Sequence, residues 1–186
     1  MKNLRKRLEA YTPSDAQEAA DRDMMLMAID TLNDPLRREN LFAHFTGSAW
    51  IVNPQRTKAL MAWHNIYRTW AWTGGHADGE ADLLSVALRE AREETGIETI
   101  QPVIPEIYSL EVLPVNAHIR RGRFVCAHLH LNATYLLEAD DAQPLRVKPD
   151  ENSAVAWLPL EQAQDNRDEP FMAVIYRKLN EKLKRI

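Results

Sequence analysis

One stretch constrains this chain more than any other: Leu83 to Thr95, with Asp82 before it and Gly96 after it. Asp is a favoured N-cap, because its carboxylate accepts a free backbone N–H of the first turn. Glycine is favoured just past a helix C-terminus, where the backbone turns left-handed. Leu84, Leu88, Ala91 and Thr95 recur at helical spacing and predict the stripe that faces the core. Short apolar runs around this helix read as strands: Phe45–Val52, Ala59–His64, Glu106–Val112, Phe124–Leu137 and Val155–Leu158. Short strands mixed around one central helix predict an α+β chain built as an α/β/α sandwich.

Both ends read as helix. Leu4, Leu8 and Tyr11 form an apolar face, and Ser14 with Gln17 makes a capping box for a second helix reaching about Leu32. Ala20, Met24, Met27 and Ala28 are its expected inward face. A last helix over about Pro170–Lys184 turns Phe171, Val174, Ile175 and Leu179 inward. The 186 residues fit one domain, or one domain with an extension.

Lys and Arg number 23 against 27 Asp and Glu, a formal net charge of −4. That balance excludes a strongly basic nucleic-acid binder, so no stable nucleic-acid partner is expected. One cysteine, Cys126, rules out an internal disulfide and fits a cytoplasmic setting. The basic start is followed by no apolar run, so no signal peptide is read. The longest apolar stretch, Met24–Ile29, is far short of the roughly 20 residues a spanning helix needs, and no membrane association is expected.

The central helix carries an unusual charge pattern. Residues three and four apart share a helix face, so Glu90, Glu93 and Glu94 are expected to project together. Three carboxylates side by side repel one another. A hard cation such as Mg²⁺ would relieve that repulsion, since it prefers oxygen ligands. A solvated acidic face, paired with Arg89 and Arg92, is the plainer alternative.

With the glycines in front of it, this stretch resembles the Nudix signature, G-x5-E-x7-R-E-U-x-E-E-x-G-U, over Gly75 to Ile97, where U is a bulky apolar residue. Arg89, Glu90, Glu93, Glu94 and Gly96 stand at its fixed positions. At residue frequencies of roughly 7%, five such matches arise by chance about once in a million starting points. Three departures are visible: Ala81 where the signature has Glu, with Glu80 one place earlier; Ala91 at a bulky position; and Thr73 in place of a frequent proline. Trp70–His76 is similar to the approach in a Gly-Gly-His subgroup, as are His128-Leu129-His130 and Asp150–Ser153 with Trp157.

The resemblance implies a Nudix domain over residues 41–186 behind a helical extension over residues 1–40. It implies hydrolysis of a diphosphate linkage in a nucleotide or nucleoside-diphosphate-type small molecule, with Mg²⁺ (or Mn²⁺). Glu93 and Glu94 would be metal ligands. Glu90 would be a ligand or the group that deprotonates water, held by Arg89. Gly75 would allow a close backbone approach, and His76 and the displaced Glu80 would lie on the substrate loop. Glu151 is either a late-loop base or extra ligand, or a solvated charge.

Other residues carry weaker readings. Cys126, His128 and His130 alternate as transition-metal ligands would, but such a site lacks a further Cys or His pair, and a polar-lined pocket or a satisfied interior face is the preferred reading. Trp50, Trp63, Trp70, Trp72 and Trp157 read as core, with Trp70 or Trp72 as a minority base-stacking platform. Arg120–Arg123 reads as a hairpin turn or a phosphate-steering loop. Two rival functions are an isopentenyl-diphosphate-isomerase-like enzyme, for which Cys126 is the sole cysteine, and a weakly catalytic Nudix-fold binding module. The N-terminal helices cover the core, a partner or a homodimer interface.

Overall fold

The computed structural model describes residues 1–66, 68–120, 122–165 and 169–186. Two helices open the chain, α1 (Lys2–Ala10) and α2 (Ala16–Thr31). Then come β1 (Ala43–Val52), β2 (Lys58–His64), β3 (Thr69–Ala71), β4 (Thr73–His76) and α3 (Leu83–Thr95). Six strands follow: β5 (Gln101–Pro102), β6 (Ser109–Val115), β7 (His118–Arg120), β8 (Arg123–Val125), β9 (His128–Glu138) and β10 (Asn152–Pro159). The chain closes with α4 (Leu160–Ala163) and α5 (Pro170–Leu183). Helix α3 has the predicted bounds because both its ends carry strong local signals.

The main sheet runs β10-β2-β1-β9-β5, with β3 on β2, β4 on β1 and β6 on β9. Most pairs are antiparallel. β1 and β9 run parallel: the Leu129 N–H donates to the Phe42 carbonyl, and ten residues along each strand Ala139 donates to Val52. The mixed sheet with its helices is the α+β organisation expected. The chain divides into two compact units, and β1, β9 and α3 each contribute to both.

The first unit holds Met1–Ser48, Gly74–Ala87 and Pro105–Tyr135. Leu4 and Leu8 of α1 and Met25 of α2 are fully buried, each worth about 1.5–3 kcal/mol in apolar transfer. The inward face of α2 is Glu18, Met25 and Ala28, not the predicted methionine stripe, and Met27 is exposed. The cap also shifts by one residue. Asp15 is the N-cap, accepting from Glu18 N–H, while the Glu18 carboxylate accepts from the Ser14 N–H and hydroxyl. Gln17, freed from capping, donates to the Leu110 carbonyl at 2.9 Å.

That docking continues into a buried polar cluster. Ser109 Oγ contacts carboxylates of both Glu18 and Glu111, Asn132 Nδ2 and the Thr134 hydroxyl donate to Glu111, and Thr46 and Ser48 donate to Asn132 Oδ1. Closely partnered carboxylates of this kind tolerate burial, because each accepts hydrogen bonds from several neighbouring donors.

The second unit holds Ala49–Thr73, Leu88–Ile104 and Leu136–Ile186. Trp50 is fully buried and stacks on Tyr176 at 5.2 Å between ring centroids. Trp72 meets the same ring edge-on at 5.5 Å, and its N–H donates to the Tyr176 hydroxyl. Tyr176 therefore sets the rotation of α5. Its buried residues are Ala173, Ile175, Tyr176, Leu179, Asn180 and Leu183, whereas Phe171 and Val174, predicted inward, are exposed.

Two further differences from expectation concern strands. β6 starts at Ser109, three residues later than read, and the long run from Phe124 breaks at Cys126-Ala127 into β8 and β9. The basic stretch is a hairpin, with β7 paired to β8, and Arg121 lies outside the described residues.

Candidate functional site

The acidic face of α3 is not a uniform solvent-facing stripe. Its buried residues are Leu83, Val86, Ala87, Ala91, Glu94 and Thr95, while the predicted Leu84 and Leu88 are only half-buried. The helix is rotated by about one residue from the expected face. Glu94 is therefore buried, Glu90 has 14% of its side chain exposed, and Glu93 has 48%.

Glu90 sits where burial disfavours its charge. Burial raises its pKa, Arg89 opposes the shift, Glu93 adds to it and Lys148 opposes it. Arg89 Nη2 lies 3.0 Å from Glu90 Oε1, the ion pair the signature implied. Arg89 Nε also lies 4.0 Å from Glu93 Oε1, at the outer limit of an ion pair.

The end of the helix recruits a distant loop. Gly96 takes φ +73°, and its N–H donates to the Arg92 carbonyl. A Cβ there would stand 2.7 Å from Arg146 Cβ and 3.0 Å from Arg146 N. That close approach lets Arg146 N–H donate to the Thr95 carbonyl at 2.7 Å. Asn152 then locks the loop. Its Nδ2 donates to the Glu94 carbonyl at 3.1 Å, and its Oδ1 accepts from Lys148 N–H at 3.0 Å.

The result is that Lys148 Nζ stands 3.3 Å from Glu93 Oε2 and 3.1 Å from Glu151 Oε2. Burial pulls the Lys148 pKa down, but Glu151, Glu93 and Glu90 outweigh it and the net shift is upward. Lys148 is a fixed cation among carboxylates. His64 faces the same group: burial lowers its pKa, and the charge of Glu151 pulls the other way.

The structure therefore brings Arg89, Glu90, Glu93 and Glu151 together around Lys148, with Glu94 on the buried side of the same helix turn. All lie in the second unit. Sequence reasoning assigns no role to Lys148 or His64, and it includes Asn152 only within the Asp150–Ser153 resemblance. The only local signal for Lys148 is its place beside Pro149 and Glu151, which marks a turn rather than a site.

The predicted substrate-loop residues lie in the first unit. Glu80 Oε1 accepts from Asp82 N–H at 2.8 Å, so in this structure it braces the start of α3. Gly75 lies in β4 without a positive φ. The tight backbone approach falls at Gly74, where a Cβ would stand 2.3 Å from Ser48 Oγ and 2.9 Å from the Gly47 carbonyl. His76 lies among histidines, its ring centroid 5.0 Å from His44 and 4.9 Å from His130.

Comparison with known proteins bears on this arrangement. The family model for the NUDIX domain matches residues 44–179. Among solved structures, the MutT protein from Methanosarcina mazei Go1 superposes with TM-score 0.58 at 16% identity, covering 75% of this chain and 94% of that one. RenU, a Nudix hydrolase from M. smegmatis, gives 0.55 at 17%, covering 77% and 87%. An Ap4A hydrolase from C. elegans gives 0.54 at 17%, covering 76% and 98%. These identities speak to the fold alone. A search of curated proteins returns no match. With the domain model spanning most of the chain and the R-E-x-x-E-E-x-G helix standing where it should, this protein belongs to the Nudix family of hydrolases.

Proposed function

We propose that the protein is a Mg²⁺-dependent pyrophosphohydrolase that cleaves a diphosphate linkage in a nucleotide or nucleoside-diphosphate derivative. The observation that carries this reading is the meeting of Glu93 and Glu151 on the Lys148 ammonium, beside Glu90. These carboxylates already face a shared positive charge, and hard oxygen donors suit Mg²⁺ or Mn²⁺. Glu93 and Glu94 would hold the ion, with Glu151 adding charge from the loop and Glu90 left to take the proton of the attacking water. When bound, the ion neutralises phosphate charge, orients the bridging oxygens and acidifies water.

The remaining work belongs to the chain. Arg89 holds one oxygen of Glu90 and leaves the other free. Glu90 accepts a proton from the attacking water, and its raised pKa brings its basicity closer to neutral pH. Lys148 keeps Glu151 and Glu93 in place and adds positive charge for an incoming phosphate. Residues 1–40 act as an extension that braces the first unit rather than as a separate domain.

The test is a screen with Mg²⁺ across nucleoside triphosphates, dinucleoside polyphosphates, sugar nucleotides and diphosphorylated small molecules, with products identified. The C. elegans relative's name puts Ap4A on the first plate. At least one diphosphate is cleaved, and Glu93→Gln lowers kcat by about 100-fold or more with folding intact. Undiminished turnover in that variant overturns the assignment, and no cleavage of any substrate favours a binding module. Cys126→Ala keeps full turnover. A large loss there, with isomerised rather than hydrolysed product, would turn the reading toward an isomerase.

A further inference from the structure

Five of the six histidines lie in the first unit, and four of them gather at one place. His44 is on β1, His76 ends β4, and His128 and His130 begin β9. Backbone pairing sets this up. Ala77 N–H donates to the Phe45 carbonyl, which brings His76 beside His44. Leu129 N–H donates to the Phe42 carbonyl, which brings the β9 pair to the same place. The His44 ring centroid lies 5.0 Å from His76, 4.8 Å from His128 and 5.0 Å from His130. One ligating nitrogen from each of His44, His76 and His130 lies within 4.8 Å of the others.

The hydrogen bonds say which nitrogens are available. His44 Nδ1 lies 3.1 Å from the Asn40 carbonyl, and His128 Nδ1 lies 2.8 Å from the Cys126 carbonyl. A carbonyl only accepts, so both rings carry their proton on Nδ1 and leave a lone pair on Nε2. This carbonyl-backed tautomer is the one found in metal-ligating histidines. His44 is 3% exposed, and its Nε2 is buried with no hydrogen-bond partner. A buried acceptor left so carries a desolvation cost unless something fills it. His128 Nε2 lies 3.3 Å from His130 Nε2. With its proton on Nδ1, His128 accepts this contact as a hydrogen bond from His130 Nε2–H, which leaves His130 Nδ1 as the ligating nitrogen.

Charge points the same way. Burial, then His76, His44 and His128, push the His130 pKa down to about 2, and burial lowers that of His44. Burial thus favours the neutral, ligating form of both rings. The charged groups facing His44 are Arg38 and Asp78, and these are paired with each other at 2.8 Å. Three imidazole donors suit a borderline ion such as Zn²⁺ rather than Mg²⁺.

We propose that His44, His76 and His130 form a site for a divalent transition metal, Zn²⁺ above all, with a water molecule in the fourth position. It uses none of the α3 glutamates and stands or falls apart from the hydrolase reading. The sequence alone suggests Cys126 with His128 and His130. The structure supplies the missing pair as His44 and His76, while Cys126 is exposed.

The test uses the full-length protein stripped with a chelator, dialysed and titrated with Zn²⁺ against a chromophoric competitor. One tight equivalent is expected. His44→Gln and His130→Gln each weaken it by about 100-fold or more, whereas Glu93→Gln leaves it unchanged. Co²⁺ in place of Zn²⁺ gives the intense visible bands of a four-coordinate centre, lost in the histidine variants. If His44→Gln fails to fold, the half-buried His76→Gln carries the same test. Absence of a tight equivalent overturns the proposal, as does Zn²⁺ affinity lost in Glu93→Gln but kept in His130→Gln.

Discussion

Glu90 shows how one residue trades stability for chemistry. Its folded pKa lies above the unfolded one, because burial outweighs the help of Arg89. The stability it contributes is present below the unfolded carboxylate pKa and declines as pH rises through the folded value. At neutral pH, without metal, it is a net cost. Glu90→Gln is therefore expected to raise the thermal midpoint of the chelator-treated protein at pH 7 while lowering turnover. A chain this size moves roughly 2–4 °C per kcal/mol, and a midpoint that falls would contradict the account. His130 has the opposite sign. Its pKa drops from 6.5 unfolded to about 2 folded, so its contribution is complete above pH 6.5 and is lost progressively on acidification toward 2. In metal-free protein, urea titrations at pH 7 and pH 5 should show His130→Asn flattening this acid loss.

At the scale of elements, the joint between α3 and the 146–152 loop is the vulnerable part. Gly96→Ala puts a Cβ at φ +73° and 2.7 Å from Arg146 Cβ. Left-handed strain alone costs about 1–3 kcal/mol. The variant should lose several degrees of midpoint by calorimetry and also lose turnover, because Lys148 and Glu151 depend on the same loop. Unchanged turnover would separate the joint from the site. This joint also marks the limit of reading from sequence. Caps are local, so Asp82 and Gly96 announce the bounds of α3 by themselves, and Arg89, Glu90 and Glu93 follow from helical spacing. Lys148 meets Glu93 across 55 residues, and nothing local announces that meeting. His44 and His76 find His130 only through strand pairing, so in the sequence they read as ordinary strand residues. The rotation of α5 is equally hidden, because Tyr176, shared between Trp50 and Trp72, overrides the apolar pattern of Phe171 and Val174.

For the whole molecule, the N-terminal helices are structural members of the first unit. Removing residues 1–38 takes Leu4, Leu8 and Met25 out of the core and strips Gln17, Glu18 and Asp21 from Leu110, Ser109 and Val112. The truncated chain is expected to be aggregation-prone with a lost or much lowered cooperative transition, measured by calorimetry and light scattering. A well-folded monomer of near-parental stability would instead mark the helices as an accessory. Their placement also has a consequence in time. Gln17 meets Leu110 across 93 residues of chain. At roughly 5–20 residues per second, synthesis leaves α1 and α2 waiting about 5–20 s for the strand that houses them. A nascent chain stalled before residue 109 would display Leu4, Leu8 and Met25 with no place to put them, a surface chaperones and proteases act on. Helices made 93 residues ahead of their strand are seated only once it arrives.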